Sequence, residues 1–286
     1  MHAVGVSAGW SPRAIAASIR DIFARREMLD LLVRRDLKAR YKDSALGFLW
    51  ALVRPLVQLA IYYVVLGHFL SAARGIPDFA IFVFTGLTAM GLFQEIAIGG
   101  TGSVLANAGL VKKVYMPREL FPLASTGSAL FNFGIQLAVL LVATIVAGQI
   151  PWHPEILYAV PALLVVLIYG FAFALFFSAM NVYLRDTQYL VEVATMLLFW
   201  LSPVVYSWQM VQGIITNEIA LDVYTNNPLT LAILGFQRAF WVSGQELAYP
   251  SHLALRLGVA IVIGIALLFV SHRVFLRLQG NFAQEL

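Results

Sequence analysis

"FAIFVFTGLTAMGLFQEIAIGGTGSVLANAGLVKKVYMPRELFPLASTGSALFNFGIQLAVLLVATIVA", residues 79–147, decides how this chain is read. Two apolar runs, 79–103 and 121–147, enclose the charged islet "NAGLVKKVYMPREL" at 107–120. Each run exceeds the roughly 20 residues of helix that cross a bilayer. The islet carries Lys112, Lys113, Arg118 and Glu119 and is far too short to be a domain. A short helix fits 107–114, and Pro117 would end or kink it, because proline supplies no backbone N–H.

Four more runs of the same quality lie outward of this pair, at 48–70, 156–180, 189–208 and 252–270. Composition agrees: 60% of the 286 residues are hydrophobic and 12% charged, and the mean hydropathy is +0.82. Soluble domains carry about twice that share of charge, so this chain has too little polar surface for a water-soluble globule. The absence of cysteine excludes disulfides and thiolate metal sites. The five histidines (His2, His68, His153, His252 and His272) show no metal-ligand spacing. No nucleophile–base pairing stands out, so no catalytic residue is expected. The basic residues follow the membrane segments and show no nucleic-acid motif. Residues 1–47 contain no signal-type apolar core, so no cleaved signal is expected.

Lysine and arginine set the orientation. Nine precede residue 48, and further ones follow at Arg54, Lys112, Lys113, Arg118, Arg185, Arg273 and Arg277. The alternate side receives only Arg74, Arg238 and Arg256. Positive charge marks the cytoplasmic side. The expected fold is therefore an all-α integral membrane protein with six transmembrane helices and both termini inside, N-in/C-in.

Two further elements complete that expectation. Leu29, Val33, Leu37 and Tyr41 recur every four residues, opposite Arg34, Arg35, Lys38 and Lys42. That pattern makes an amphipathic N-terminal helix suited to the membrane interface. The external segment 209–251 is too polar to span in its first half. Its second half starts a helix at Pro228, read as a re-entrant or surface helix between spans five and six. Trp208, Trp241 and Tyr249 read as aromatic belt residues near the outer surface. The organisation is then a cytoplasmic region 1–47, a transmembrane domain 48–275 and a cytoplasmic tail 276–286.

Five stretches in order resemble one family. "LLVRRDLKARYKDSALGFLWALVRPL" (31–56), "LVKKVYMPRELFPL" (110–123), "YLRDTQYLVE" (183–192) with "SPVVY" (202–206), "NNPLTLAILGFQRAFW" (226–241) and "GNFAQEL" (280–286) resemble ABC-2-type permeases that export polysaccharides. The resemblance implies the membrane half of an O-antigen, teichoic acid or cell-wall glycan exporter in the bacterial plasma membrane. Such exporters work as a homodimer of permeases with two separate ATPase subunits, and their substrate is a lipid-linked polysaccharide. The sequence holds no G-x-x-x-x-G-K-[ST] loop to cradle nucleotide phosphates. No cofactor is expected in this chain; ATP and Mg would belong to the partner ATPase. Two other readings are a permease for a drug or small lipid and an ion-coupled secondary transporter. Against the latter, the halves show no internal repeat and no paired broken helices.

By resemblance the islet is the coupling element on which the ATPase docks: Asn107, Lys112, Lys113, Val114, Tyr115, Pro117, Arg118 and Glu119. Arg54, Glu95 and Glu192 fall inside spans at similar depth. Since charge is costly in lipid, Arg54 is expected to pair with Glu95 or Glu192, within one chain or across a dimer. Arg34, Arg35, Lys38, Lys42 and Arg54 are candidates for a lipid-pyrophosphate headgroup or for anionic membrane lipids. Tyr62, Tyr63, Phe199, Trp200 and Tyr206 could give a glycan conduit its wall. Gly170, Ala174 and Ser178 form a small-residue stripe for close helix packing.

Overall fold

The computed structural model describes residues 20, 24–41, 49–61, 63–65, 75–114 and 116–286, so Lys42, Tyr62 and Tyr115 lie outside the described residues. Within them every regular element is helical. The α-helices are α1 (Arg26–Tyr41), α2 (Trp50–Ile61), α3 (Phe79–Ala106), α4 (Ala108–Lys113), α5 (Leu120–Val146) and α6 (Ala159–Tyr183). They continue with α7 (Thr187–Trp200), α8 (Trp208–Ile214), α9 (Glu218–Thr225), α10 (Pro228–Phe240), α11 (Leu253–Leu278) and α12 (Phe282–Glu285).

Four helical segments are long and apolar enough to cross a membrane: Phe79–Ala106, Leu120–Val146, Pro154–Tyr183 and Leu253–Glu285. At about 1.5 Å per residue, the 28 residues of α3 reach roughly 42 Å against a hydrocarbon core of about 30 Å. α3 is the central helix, apolar around most of its circumference, and packs on α5, α6, α7 and α10. α6 bridges α3 to α11. Gly100 lets α3 and α6 touch backbone to backbone, since a Cβ there would sit 2.3 Å from Ala174 Cβ. Gly170, Ala174 and Ser178 are all buried, and Gly170 and Ala174 meet α3 at Ile96 and Gly100.

The elements at the places expected for spans one and five are shorter. α2 has 12 residues and α7 has 14, about 18 and 21 Å. α7 stops at Trp200, eight residues before the expected boundary, because Pro203 disfavours helical backbone at Ser202. The chain then turns inward, and Val204 lies against Gly86 of α3. α11 does the opposite and continues eight residues past 270. Arg273 and Arg277 are therefore on the helix itself, with Arg273 over the Phe269 ring at 5.0 Å.

The stretch expected to be external folds as three helices. Ser207, Asn217 and Asn227 cap α8, α9 and α10 with their side-chain oxygens, each accepting a first-turn backbone N–H. α10 is buried along nearly its whole length among α3, α6 and α11, which fits an inserted helix better than one lying on the surface. The belt reading of the aromatics here is corrected. Trp208 and Trp241 are buried; their indoles donate to Thr225 Oγ1 at 3.0 Å and Pro77 O at 2.8 Å. Tyr249 lies under Arg238, 4.8 Å from its guanidinium, and burial pushes its phenol above the ordinary tyrosine range. Trp208 thus joins α8 to α9, and Trp241 joins the end of α10 to the entry of α3.

Arg238 and Arg256 have specific local partners. Arg238 pairs with Glu155 and donates to Gln245 O at 2.8 Å. Arg256 pairs with Asp222 at 3.0 Å and donates to Asn226 Oδ1 at 2.8 Å. Their charge ties α9 to α11, and α10 to the short turn Pro154–Tyr158 that leads into α6.

Candidate functional site

At one end of the bundle, α1, the end of α3, the islet, the start of α5, the ends of α6 and α11 and the tail share a core. Leu32, Val111, Leu120, Phe121, Phe275 and Phe282 are buried together there. Within the islet, α4 is a six-residue helix joined to α3 through Asn107 alone. Val111 points into the core, while Lys112, Lys113 and Val114 are exposed. The helix ends at Lys113, well before Pro117, which lies in the irregular stretch leading to α5.

The islet's other charges face its own chain. Arg118 lies over the Phe282 ring at 5.7 Å. Glu119 is buried, with His272 Nε2 3.7 Å from its Oε1. This corrects the expectation that all four charged residues are available to a partner: Glu119 is spent inside the fold, and Lys112 and Lys113 remain. Phe282 itself is fully buried, edge-on to Tyr183 and Phe275 at 6.2 and 5.6 Å. Tyr183 OH donates to Leu278 O at 2.8 Å, and α12 packs on α4. The tail is thus a wedge behind the islet.

α1 packs along α5, with Leu32 buried and Val33 against Gly127. The four-residue count singled out Leu29, Val33 and Leu37 and passed over Leu32, though a helical face also takes in i+3 neighbours. Arg35 donates to Asn107 Oδ1 at 2.7 Å, and Arg40 forms an ion pair with Glu95. Asn107, which caps the end of α3, is twelve residues beyond Glu95, roughly 18 Å along the helix axis. α1 therefore rises along the bundle.

That geometry overturns the pairing expected within the chain for Arg54. Glu95 is held by Arg40 and by Asn132 Nδ2 at 2.5 Å. Glu192 accepts from Gln188 Nε2 at 3.1 Å, one turn away on α7. Arg54 is exposed on α2, with no ion-pair partner among the described residues. Of the other basic candidates, Arg34 pairs with Asp30 at 2.8 Å, Arg35 is also bound to Asp36 at 2.7 Å, and Lys38 is exposed.

One face of α3 is not apolar. Gly91, Gln94, Glu95, Gly99 and Gly102 follow one another at helical spacing over roughly 16 Å. Polar side chains of α5 and α7 lie across it. Gln136 and Ser125 approach Gly91 and Gly99. Gln94 donates to Thr195 O at 3.3 Å, and Gln188 to Ile98 O at 3.4 Å. Phe199 is buried at the end of this strip, whereas Tyr63 and Trp200 are exposed. Tyr206 OH donates to Trp200 O at 2.8 Å. Sequence reading singled out the charges of this strip and missed Gln94, Asn132, Gln136 and Gln188. The readable signal was the glycine spacing around Gln94 and Glu95 in a span that is otherwise apolar.

Residues 28–241 match the family model described as ABC-2 type transporter. The chain is 29% identical over 261 residues to the O-antigen export system permease protein RfbA of Klebsiella pneumoniae, covering 91% of this chain and 95% of that one. Against the Myxococcus xanthus protein of the same name, identity is 29% over 269 residues, with 94% and 98% covered. A shorter likeness, 32% over 84 residues, links it to the polysialic acid transport protein KpsM of Escherichia coli, covering 29% of this chain and 32% of that one. With a family match that takes in α1 to α10 and the islet between α3 and α5, the chain belongs to the ABC-2 type transporter family.

Proposed function

We propose that this chain is the membrane-spanning permease subunit of an ABC exporter that carries a lipid-linked polysaccharide across the bacterial inner membrane. The observation that carries the reading is the near full-length likeness to O-antigen export permeases. The energy source is a separate ATPase that binds ATP and Mg. Its docking point is the islet end, where Lys112, Lys113 and Val114 are exposed beside the tail. α4 is coupled tightly to α3 through Asn107 and is seated by Val111. A push on α4 therefore reaches α3 and α5 without being absorbed by a long loop.

In this reading α2 and α7 are the first and fifth of six spans, and the islet end is cytoplasmic, as its lysines and arginines favour. Both termini are then inside, with the cytoplasmic regions and transmembrane domain divided as the sequence suggests. A homodimer supports the path, because two copies can face their α3 polar strips toward a shared conduit. The polar strip suits a hydrated chain better than a fatty one. Exposed Arg34, Lys38 and Arg54 are the cations available to a phosphate-bearing lipid headgroup.

Deleting the gene and profiling surface polysaccharides tests the reading. The expected result is loss of one surface polysaccharide and intracellular build-up of its lipid-linked form, restored by the wild-type chain. Unchanged surface glycans with altered export of a small lipid or drug would refute it.

A further inference from the structure

We infer that the cavity between α2, α3, α5 and α7 is a binding subsite for a neutral polyhydroxyl group, the edge of a sugar ring. Gln58, Gln94 and Gln136 converge on it from three helices, with Gly91, Phe84 and Phe199 completing its wall. Its volume is about 80 Å³. An apolar cavity of about 150 Å³ holds one benzene ring, so this space admits the edge of a ring and not all of it.

Three carboxamides meeting at this depth need an explanation. Gln94 is fifteen residues from one end of α3 and twelve from the other, so it lies near mid-span. Hydrocarbon offers no hydrogen-bond partner, and unpaired amides there are unfavourable. Gln94 donates to Thr195 O at 3.3 Å. Gln58 and Gln136 form no hydrogen bond with another described residue. Each amide offers one acceptor and two N–H donors. Their natural complement is a group that both donates and accepts, which a hydroxyl does.

The surroundings narrow the class. The nearby Glu95 is already paired with Arg40, and the lining itself is uncharged. A phosphate would find no cation here, and a metal ion no carboxylate. Phe84 and Phe199 supply an apolar wall for the C–H face of a sugar. Gly91 keeps the space open, since a Cβ there would already lie 3.5 Å from Gln136 Oε1. Neutral amides hold such a ligand weakly, which suits a passing polymer.

This inference rests on the polysaccharide reading and assigns that substrate a contact point. The chain has no cysteine, so Gln136→Cys places a single thiol at the cavity. In membranes from cells making the glycan, that thiol should react at least threefold more slowly with a hydrophilic thiosulfonate than in membranes from cells blocked in glycan synthesis. The double variant Gln94→Leu/Gln136→Leu should lower export by roughly 25-fold, about fivefold for each of two lost hydrogen bonds, while membrane level and ATPase co-purification hold. Equal labelling rates with or without glycan, together with wild-type export by the double variant, would overturn the subsite alone. Gene deletion that leaves every surface polysaccharide intact would instead overturn the polysaccharide reading.

Discussion

Arg40 and Glu95 stand 55 positions apart in the sequence and form an ion pair that ties the end of α1 to the middle of α3. Asn132 of α5 donates to the same carboxylate oxygen at 2.5 Å, so three helices meet at one acid. Removing either charge strands the other at membrane depth. Because Arg40 is partly open to its surroundings, the loss should be about 1–3 kcal/mol, below that of a fully buried pair. Arg40→Ala and Glu95→Gln should each lower the melting temperature of the solubilised protein, and the double variant should be less destabilised than the sum. Additive losses would mean the pair is not formed. Arg54→Ala should show no such coupling with Glu95→Gln.

Charge at the islet divides into two groups with different fates. Lys112 and Lys113 are exposed, whereas Glu119 is buried beside His272. Lys112→Glu/Lys113→Glu should abolish ATPase co-purification and export while the permease still inserts at wild-type level, since both side chains leave the fold untouched. Glu119→Gln should leave the exposed Lys112 and Lys113 intact and act on stability. Co-purification and thermal melts on the two variants check this contrast.

Phe282 fills the pocket between Tyr183, Phe275 and Arg118 and holds the tail against α4. Burying a phenylalanine is worth several kcal/mol; a Phe→Ala change in a core removes about 3–5 kcal/mol. Here the loss falls first on docking of the tail. Phe282→Ala should make the C-terminus open to carboxypeptidase and weaken export without lowering membrane insertion. Phe282→Leu, which keeps most of the volume, should retain more of both.

Much of this architecture is legible because membrane spans depend on long-range averages. The apolar runs flanking 107–120 are too long to be anything else, and α3 and α5 begin and end within a few residues of where the sequence puts them. The start of α10 is equally plain, since Asn227 and Pro228 form a cap and first position that only a helix start uses well. The end of α7 is less so: its apolar composition continues past Trp200, and a single proline at 203 decides the matter. Side-chain partners are the least legible. Depth along a span can be counted, but azimuth and neighbours cannot, so nothing in the sequence pairs Arg40 with Glu95. The glutamines are single residues on four different helices, and only the fold brings them to one face.

Two glycines give opposite predictions from the same kind of substitution. A Cβ on Gly100 would fall 2.3 Å from Ala174 Cβ and 3.0 Å from its Cα, so α3 and α6 would have to separate. That contact lies where two central helices cross, and the neighbouring atoms are backbone and Cβ, which cannot rotate away. Gly100→Ala should therefore destabilise by about 1–3 kcal/mol, and Gly100→Val by more. Gly109, on exposed α4, has nothing within 4 Å of its would-be Cβ. Gly109→Ala should stabilise the short helix by about 0.5–1 kcal/mol. If α4 transmits force as a stiff element, that variant should export at least as well as the wild type. Thermal melts of the solubilised variants, paired with an export assay in cells, separate the two sites.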